Sequence, residues 1–240
     1  MKSGPYFTEE ALRFLRGLKR NNKREWFEAR RDVYERELKQ PMLALIERIT
    51  DGMGDYAPEF MRPAAKCLFR IYRDTRFSAD KTPYKTHLGA WWARSGLEKT
   101  SGGGYYMHIS STEFVIAGGA FMPQKDQLLA IRRHLLEHHA DWKRTIGNRA
   151  LLRLFFVHEP MALARAPKGF PAEHPAIEWI RWRQWGVTAH LPAETALSPQ
   201  LASEIEKRFR QAAPLVDFLN APLARRERPR AIWTGGRLHG

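Results

Sequence analysis

Residues 105–117 read YYMHISSTEFVIA, and this stretch decides how the central part of the chain folds. Two runs rich in aromatic and aliphatic residues, 105–110 and 114–117, are separated only by the polar segment Ser111-Thr112-Glu113. Runs of this length and composition are typical of β-strands, and so short a polar connection favours antiparallel pairing. The stretch therefore predicts a hairpin-like pair of strands.

Other segments with the same character lie on both sides of this hairpin. Short, aromatic-rich runs occupy 67–73 and 87–93, and residues 161–166 and 182–190 are two further strand candidates. Because consecutive strands in one block can pair with one another, these runs indicate a central, mostly antiparallel sheet.

Helical signals occupy the N-terminal part of the chain and the part that follows the predicted hairpin. Thr8 is suited to an N-cap position, and apolar residues recur at helical spacing to about residue 50. Asn22 and Glu25 resemble a capping box for a second helix. Further helices are expected after Pro123, after Asn148, and from Ser198-Pro199 to about residue 212, with a further turn or two over 214–219.

Together these segments predict an α+β fold with a helical N-terminal segment, a central sheet, flanking helices and a long C-terminal helix. The strands cluster in a block instead of alternating with helices, which argues against a doubly wound sheet. With no repeat and no low-complexity linker, residues 1–224 are expected to form a single domain. Residues 225–240 contain the cluster Arg225-Arg226-Glu227-Arg228-Pro229-Arg230 and are expected to form a flexible basic tail.

The net charge of the 240-residue chain is +14, from 40 Lys and Arg against 26 Asp and Glu. This excess attracts polyanions over a Debye length and raises their encounter rate. The basic residues are spread along the chain, so the charge alone does not indicate nucleic-acid binding.

Several classes of protein are excluded or disfavoured by composition. The single cysteine, Cys67, rules out an internal disulfide framework and is expected to be a small buried residue at the head of a strand. No apolar run approaches the ~20 residues that span a bilayer, and no secretory signal follows Met1. A cytoplasmic protein without a membrane partner is expected.

The most distinctive charged segment lies at 69–87, which read FRIYRDTRFSADKTPYKTH. Arginine and lysine bind phosphate or carboxylate oxygens, and a strand leading into a proline-braced loop can bring several of them together. Because side chains alternate along a strand, neighbouring arginines diverge unless residues 74–83 fold back. The hypothesis is a pocket for a phosphate-bearing ligand, whose candidate ligand-binding residues here are Arg70, Arg73, Arg76, Lys81, Tyr84, Lys85 and His87.

A second segment, rich in proline and glycine at 167–175, is the other candidate binding edge. It and the helix after it add the candidate ligand-binding residues Lys168, His174 and Arg181. The candidate catalytic residues are Asp74, Asp80 and His87. Both aspartates lie amid cations, which lower the pKa of a carboxyl group and make it a poor acid. His108 is a further candidate proton carrier, with a structural role as the alternative.

No metal site is expected, and the sequence implies no cofactor. Residues 134–138 match the His-x-x-Glu-His pattern of inverted zinc peptidases, but the leucines between suit an ordinary amphipathic helix and no motif supplies a third ligand. The glycines at 102–104 lack the spacing of either nucleotide-binding loop, and no Gly-x-Ser-x-Gly elbow is present.

Four segments resemble one family. These segments are RxYRDxRFSxDKTPYKTH at 70–87, NNKREWF at 21–27, GGYYMHIS at 103–110, and PKGF at 167–170 followed by HPAI at 174–177. The family to which they are similar is the domain of unknown function 2461. The resemblance covers roughly residues 7–220 in the family's order. It implies a family but no established activity, cofactor or site residue.

Three functional hypotheses therefore stay open. The first is a binding protein for a phosphorylated small molecule or a nucleic-acid backbone, with Tyr72, Phe77 and Tyr84 available for stacking. The second is an enzyme of phosphoryl-group or ester chemistry that uses the same pocket with Asp or His proton transfer. The third is a purely structural motif with no ligand.

Overall fold

Five strands form one sheet in which every neighbouring pair is antiparallel, in the order β1-β2-β3-β5-β4. The computed structural model describes residues 4–97, 101–158 and 160–223, so the basic segment expected at 225–240 lies outside the described residues. Strands β2 and β3 form the predicted hairpin, with residues 111 and 112 between them. The strands are β1 (His87–Ala93), β2 (Gly104–Ser110), β3 (Glu113–Ala120), β4 (Phe156–Val157) and β5 (Trp185–Pro192).

One face of this sheet forms part of the main core. Met107, Ile109 and Ile116 alternate onto that face and are fully buried. The long helix α10 (Leu201–Asn220) packs across β3 there. Each aliphatic side chain fully buried in this way stabilises the fold by ~1.5–3 kcal/mol relative to an exposed one. The contact is close at Gly118, where an added Cβ would lie 2.9 Å from the Cβ of Ala212.

Helices precede the sheet, interrupt it and follow it, which confirms the α+β class with its N-terminal helical segment and long C-terminal helix. Before the sheet lie α1 (Glu9–Arg20), α2 (Arg24–Glu28), α3 (Arg31–Tyr34), α4 (Gln40–Gly52) and α5 (Ala64–Cys67). A π-helical segment at Glu35–Lys39 and 3-10 turns at Met53–Asp55 and Pro58–Phe60 connect them. Later come α6 (Lys125–Glu137), α7 (His139–Ile146), α8 (Arg149–Leu152), α9 (Ile177–Ile180) and a 3-10 segment at Ala193–Leu197.

The predicted helix ends have mixed outcomes. Asn148 caps α8 as expected, since its Oδ1 accepts the backbone N–H groups of Ala150 and Leu151 at 2.9 and 3.1 Å. The helix expected to end near residue 212 instead continues through Pro214. A proline removes one helical hydrogen bond, but burial of the apolar residues that follow it, Leu215 among them, outweighs that loss.

Two of the expected strands are absent as regular strands. Residues 67–73 contribute only isolated bridges, Leu68 with Ala90 and Tyr72 with Tyr84. Cys67 is buried as expected but lies at the end of α5 instead of the head of a strand, and the residues after it pair with two different segments, Leu68 with β1 and Tyr72 with Tyr84. Residues 161–166 likewise make a single bridge, to Trp182.

Residues 69–87, called the motif from here on, fold back on themselves. The backbone N–H of Arg73 donates to the carbonyl of Pro83 at 2.9 Å, and the N–H of Lys85 donates to Ile71 at 2.8 Å. The motif therefore folds back, as the cations require if they are to converge. The short hairpin presents the intervening residues 74–82 as a projecting loop.

Asn22 fastens this hairpin to the N-terminal helices. Its Nδ2 donates to the carbonyl of Tyr84 at 2.9 Å, and its Oδ1 accepts the N–H of Tyr84 at 3.0 Å. The capping box expected at Asn22 is accordingly wrong, because the N-cap of α2 is Lys23 and the Asn22 amide is engaged elsewhere. Behind the clamp, the buried Tyr84 ring stacks on Phe27 with 4.1 Å between centroids.

Replacing Asn22 with alanine tests the clamp. Asn22→Ala leaves the N–H and C=O of Tyr84 without their partner, so we expect a loss of ~1–3 kcal/mol in the free energy of unfolding. Urea denaturation at neutral pH measures it. Asn21→Ala is the matched control, because the exposed Asn21 amide bonds only to Gly17 and should cost about 0.5 kcal/mol or less. Equal losses in the two variants would contradict a clamping role.

Candidate functional site

The face of the sheet opposite α10 carries a cavity, called the sheet-face cavity. Strand alternation places Trp91 of β1, His108 of β2, Ala117 of β3 and His190 of β5 on this face. The cavity has a volume of about 350 Å³. Its lining residues are Phe69, Trp91, Tyr106, His108, Val115, Ala117, Phe121, Met122, His158, Thr188 and His190.

Aromatic rings make up much of the cavity wall. Phe121 lies between Trp91 and His158, with edge-on contacts at centroid distances of 6.3 and 5.1 Å. Met122 lines the same space and is 63% exposed, so the cavity communicates with solvent beside a flexible thioether. The first residue of the motif, Phe69, completes the wall.

A row of polar side chains crosses the same face and is called the His–Glu row: His87, Tyr106, His108, Glu113 and His190. Its strongest contact joins His190 Nδ1 to Glu113 Oε2 at 2.7 Å. Glu113 Oε1 lies 3.7 Å from His108 Nε2, and His108 Nδ1 lies 3.1 Å from the Tyr106 hydroxyl. The ring of His87 is 4.8 Å from that of His108.

Glycine at position 89 leaves space for this row. A Cβ added to Gly89 would lie 3.1 Å from the Tyr106 hydroxyl and 3.2 Å from the Cβ of His108. Both distances are tighter than usual Cβ contacts. The β1 backbone can therefore lie directly beside the Tyr106–His108 hydrogen bond.

The charge state of the row follows from burial. Desolvation, with a smaller contribution from His87, lowers the pKa of His108 to about 4. Desolvation and Lys85 also lower the pKa of His87. The hydrogen bond from His190 lowers the pKa of Glu113. At neutral pH both His87 and His108 are therefore uncharged, while Glu113 is an ionised carboxylate.

The neutral state of His108 determines which of its ring nitrogens carries the proton. A neutral imidazole has one donor and one acceptor nitrogen. When Nδ1 accepts the Tyr106 hydroxyl, the proton of His108 lies on Nε2, on the side of Glu113. The 3.7 Å approach is then a contact of a neutral ring with a carboxylate and not an ion pair.

The cations of the projecting loop are engaged within that loop. Arg73 donates to Asp80 and to the Thr82 hydroxyl. Arg76 forms a two-point contact with Asp74, at 3.0 and 2.8 Å. In this arrangement the loop charges hold the loop's own shape.

Contacts within the loop also engage the remaining predicted cation, Lys81, and the two candidate catalytic aspartates. Lys81 donates to the carbonyl of Thr75 at 3.0 Å. Hydrogen bonds from Arg76 lower the pKa of Asp74 to about 2. Those from Thr82 and Arg73 lower the pKa of Asp80 to about 2. Both aspartates are thus ionised at neutral pH and carry no proton to donate.

A smaller, polar cleft lies beside the base of the loop and is called the motif cleft. It has a volume of about 300 Å³ and brings two predicted ligand-binding residues, Arg73 and Tyr84, together with Arg24. Arg24 lies in α2 and was not a sequence candidate. The full lining is Arg24, Glu28, Tyr72, Arg73, Thr75, Pro83 and Tyr84.

Of the other predicted residues of the motif, Lys85 and His87 lie closer to the sheet-face cavity. Lys85 Nζ donates to the carbonyl of Arg70 at 3.1 Å and lies 5.1 Å from the centroid of the Phe69 ring. Arg70 itself is exposed. His87 joins the His–Glu row, so the end of the motif reaches the cavity that its first residue lines.

The candidates from the second segment make contacts of their own. Arg181 donates to the carbonyl of Leu163 at 2.7 Å and to Glu178 at 3.1 Å. His174 accepts the N–H of Ala176 at its Nδ1. Lys168 is exposed.

Two absences hold for the described ranges. No group of three or more His, Cys, Asp or Glu side chains there is placed to hold a metal ion, and the rings of His134 and His138 merely lie 4.4 Å apart. No helix within the same ranges has both the length and the apolar character that crossing a membrane requires.

Sequence reasoning missed several important residues of this face. Glu113 was assigned to a turn, and His158, His190 and Phe121 were not considered. The signal that could have found Glu113 and His190 is alternation, since both lie two residues from another cavity-facing position on their strands. Using this alternation to find the two residues requires the register of β3 with β5, and no local pattern supplies that register.

Comparison with known proteins identifies a family. The model of the family described as conserved hypothetical protein (DUF2461) matches residues 10–218. The match includes both the motif and the whole sheet. No curated protein and no solved structure shows a significant match to the chain.

The lowered pKa of His108 predicts acid sensitivity. Below pH 6.5 the unfolded chain protonates this histidine, whereas the folded chain does not until about pH 4. Stability is therefore fully present above pH 6.5 and falls towards pH 4, by up to about 3 kcal/mol. Urea denaturation across this range should show a shallower fall for His108→Gln than for the parent. The exposed His138→Gln is the control, and an unchanged pH dependence in His108→Gln would contradict the assignment.

Proposed function

We propose, from the premise that this chain belongs to the DUF2461 family, that it binds a small, flat, mostly apolar molecule in the sheet-face cavity. The observation that carries the proposal is an aromatic-walled cavity of about 350 Å³ bordered by the polar His–Glu row. Sites for small organic molecules combine apolar walls with a few polar groups, and fall within ~300–1,000 Å³.

The wall chemistry favours an aromatic ligand. Trp91 and Phe121 meet edge-on, and rings of this kind accept a further ring by stacking or edge contact. The polar groups of the row lie on one side of these rings, so a ligand with one hydrogen-bonding edge can satisfy both surfaces. Within the row Glu113 carries the negative charge, which favours a neutral or weakly acidic N–H or O–H group over an anion.

Filling the cavity tests this proposal. Indole, quinoline, 2-naphthol and benzimidazole are suitable probes, and a probe at 100 times its dissociation constant should stabilise the folded protein by ~2.7 kcal/mol. In Ala117→Leu the larger side chain occupies part of the space, so the stabilisation should disappear. Thermal unfolding and ligand-observed NMR measure the two effects.

The exposed Ala172→Leu is the matched control and should bind the probes as the parent does. The proposal is wrong if no probe raises the unfolding temperature of the parent. It is equally wrong if Ala117→Leu retains the full effect.

The motif cleft supports a second candidate function, the binding of a phosphate-bearing ligand. Its basis is the presence of Arg24 and Arg73 on one cleft of about 300 Å³, since two guanidinium groups can bind one phosphate. Glu28 also lines the cleft, but Arg31 bonds it at two points and offsets its charge. A phosphate here competes with Asp80 for Arg73.

Removal of Arg24 tests the second candidate without disturbing the loop. Arg24→Ala should weaken binding of inorganic pyrophosphate by ~1.5–3 kcal/mol, whereas the exposed Arg20→Ala should not. Isothermal calorimetry measures both. A single-stranded oligonucleotide in place of pyrophosphate should show a steep dependence on salt only if the natural ligand is a nucleic acid.

The hypothesis of a structural motif without a ligand makes the opposite forecast. Substitutions at Arg73 and Lys81 would then lower the unfolding temperature, while neither pyrophosphate nor the oligonucleotide would raise it. Such a result would remove the second candidate and leave the sheet-face cavity unaffected.

A further inference from the structure

We propose that His190, oriented by Glu113, is a general base that removes a proton from the molecule bound in the sheet-face cavity. This inference rests on the proposed function of that cavity and adds a reaction to it. His190 would be the catalytic residue and Glu113 its positioning residue. The reaction class is abstraction of an acidic proton from an apolar, aromatic substrate.

The geometry of the pair supports these roles. Glu113 Oε2 lies 2.7 Å from Nδ1 of His190, so the proton of a neutral ring resides on Nδ1 and Nε2 is the acceptor. The side chain of His190 lines the cavity and is 59% exposed, which makes the ring accessible to a bound molecule. A carboxylate placed behind an imidazole also stabilises the imidazolium that forms when the base takes a proton.

The backbone of Glu113 is held in place at the start of β3. The Ser110 hydroxyl accepts the N–H of Glu113 at 3.0 Å and donates to the carbonyl of the same residue at 3.1 Å. On its other side Glu113 faces His108, whose neutral ring adds no second positive charge. The carboxylate of Glu113 therefore extends from a fixed backbone and lies between two histidine rings, with its shorter contact to His190.

The remaining charged and titratable groups of this face leave the assignment intact. Lys85 lies near His87 at the far end of the row, and His158 contacts Thr188 at 3.5 Å. Asp74 and Asp80, the aspartates singled out from the sequence, are engaged by Arg76 and Arg73 in the projecting loop. Among the described residues that line or border the cavity, His190 combines access with a carboxylate partner.

A probe reaction can test the base before the natural substrate is known. In 5-nitrobenzisoxazole, a flat aromatic molecule, removal of the C3 proton breaks the ring. The proton passes to Nε2 of His190, the C–H electron pair becomes part of a nitrile, and the N–O bond breaks. Its electron pair stays on oxygen, and the product is coloured 2-cyano-4-nitrophenolate. No oxidant, reductant or second reactant is needed.

The expected result is saturable turnover of this probe by the 240-residue chain above the buffer rate. His190→Gln should lower kcat by at least ~100-fold with little change in KM, because a positioned base contributes ~10²–10⁴-fold. Glu113→Gln should also lower kcat at unchanged KM, and the ¹⁵N spectrum of His190 should show loss of the Nδ1–H tautomer preference. A merely structural role for Glu113 would not move that spectrum selectively. The exposed His138→Gln should behave as the parent.

The outcomes separate the two proposals. If the probe binds, as shown by a raised unfolding temperature that Ala117→Leu abolishes, but turnover matches the buffer or persists in His190→Gln, the base is wrong and the binding proposal stands. If neither this probe nor the other aromatic probes bind, the proposed function fails and the base assignment fails with it.

Discussion

The burial of one face of the sheet under α10 is the constraint on which the remaining structure depends. Because side chains alternate along a strand, committing Met107, Ile109 and Ile116 to the core commits their neighbours to the opposite face. A shift of register by one residue would exchange the two sets and bury His108 and Glu113 in the hydrophobic core. The position of the His–Glu row is therefore enforced by the packing of a helix on the opposite face of the sheet.

The motif has two roles in this structure. Its loop is a self-contained set of ion pairs in which Arg73 and Arg76 hold Asp80 and Asp74. Exposed ion pairs of this kind contribute little to stability, about 0–1 kcal/mol each, but they restrict the shape of the loop at 74–82. Its two ends act differently, since Phe69 lines the sheet-face cavity and His87 joins the row. The motif therefore contains both a loop whose shape is held by its own ion pairs and two residues at the candidate site.

The sequence predicted the architecture better than the site, for a physical reason. The hairpin of β2 and β3 and the cap at Asn148 are local features, encoded by residues within a few positions of one another. The use of Asn22 to clamp Tyr84 is not local, so a side chain that resembled a helix cap proved to be a tertiary contact. Likewise Glu113 and His190 meet only because β3 pairs with β5, and no pattern near either residue encodes that pairing. The arginines were identifiable as candidates because their charge can be read from the sequence. The sequence does not show which side chains they pair with inside the loop.

The Asn22–Tyr84 clamp cannot hold its two segments together by its hydrogen bonds alone. It joins residues 62 positions apart, and closing a loop of that length costs an entropy of about 3.7 kcal/mol on the scaling (3/2)RT ln n. Two hydrogen bonds, worth ~1 kcal/mol each, cannot offset that cost alone. The clamp therefore depends on the apolar packing around it, including the stacking of Tyr84 on Phe27, to hold the two segments together. The position of the motif relative to the N-terminal helices therefore depends on that packing, whereas the shape of its loop depends on the ion pairs within the loop.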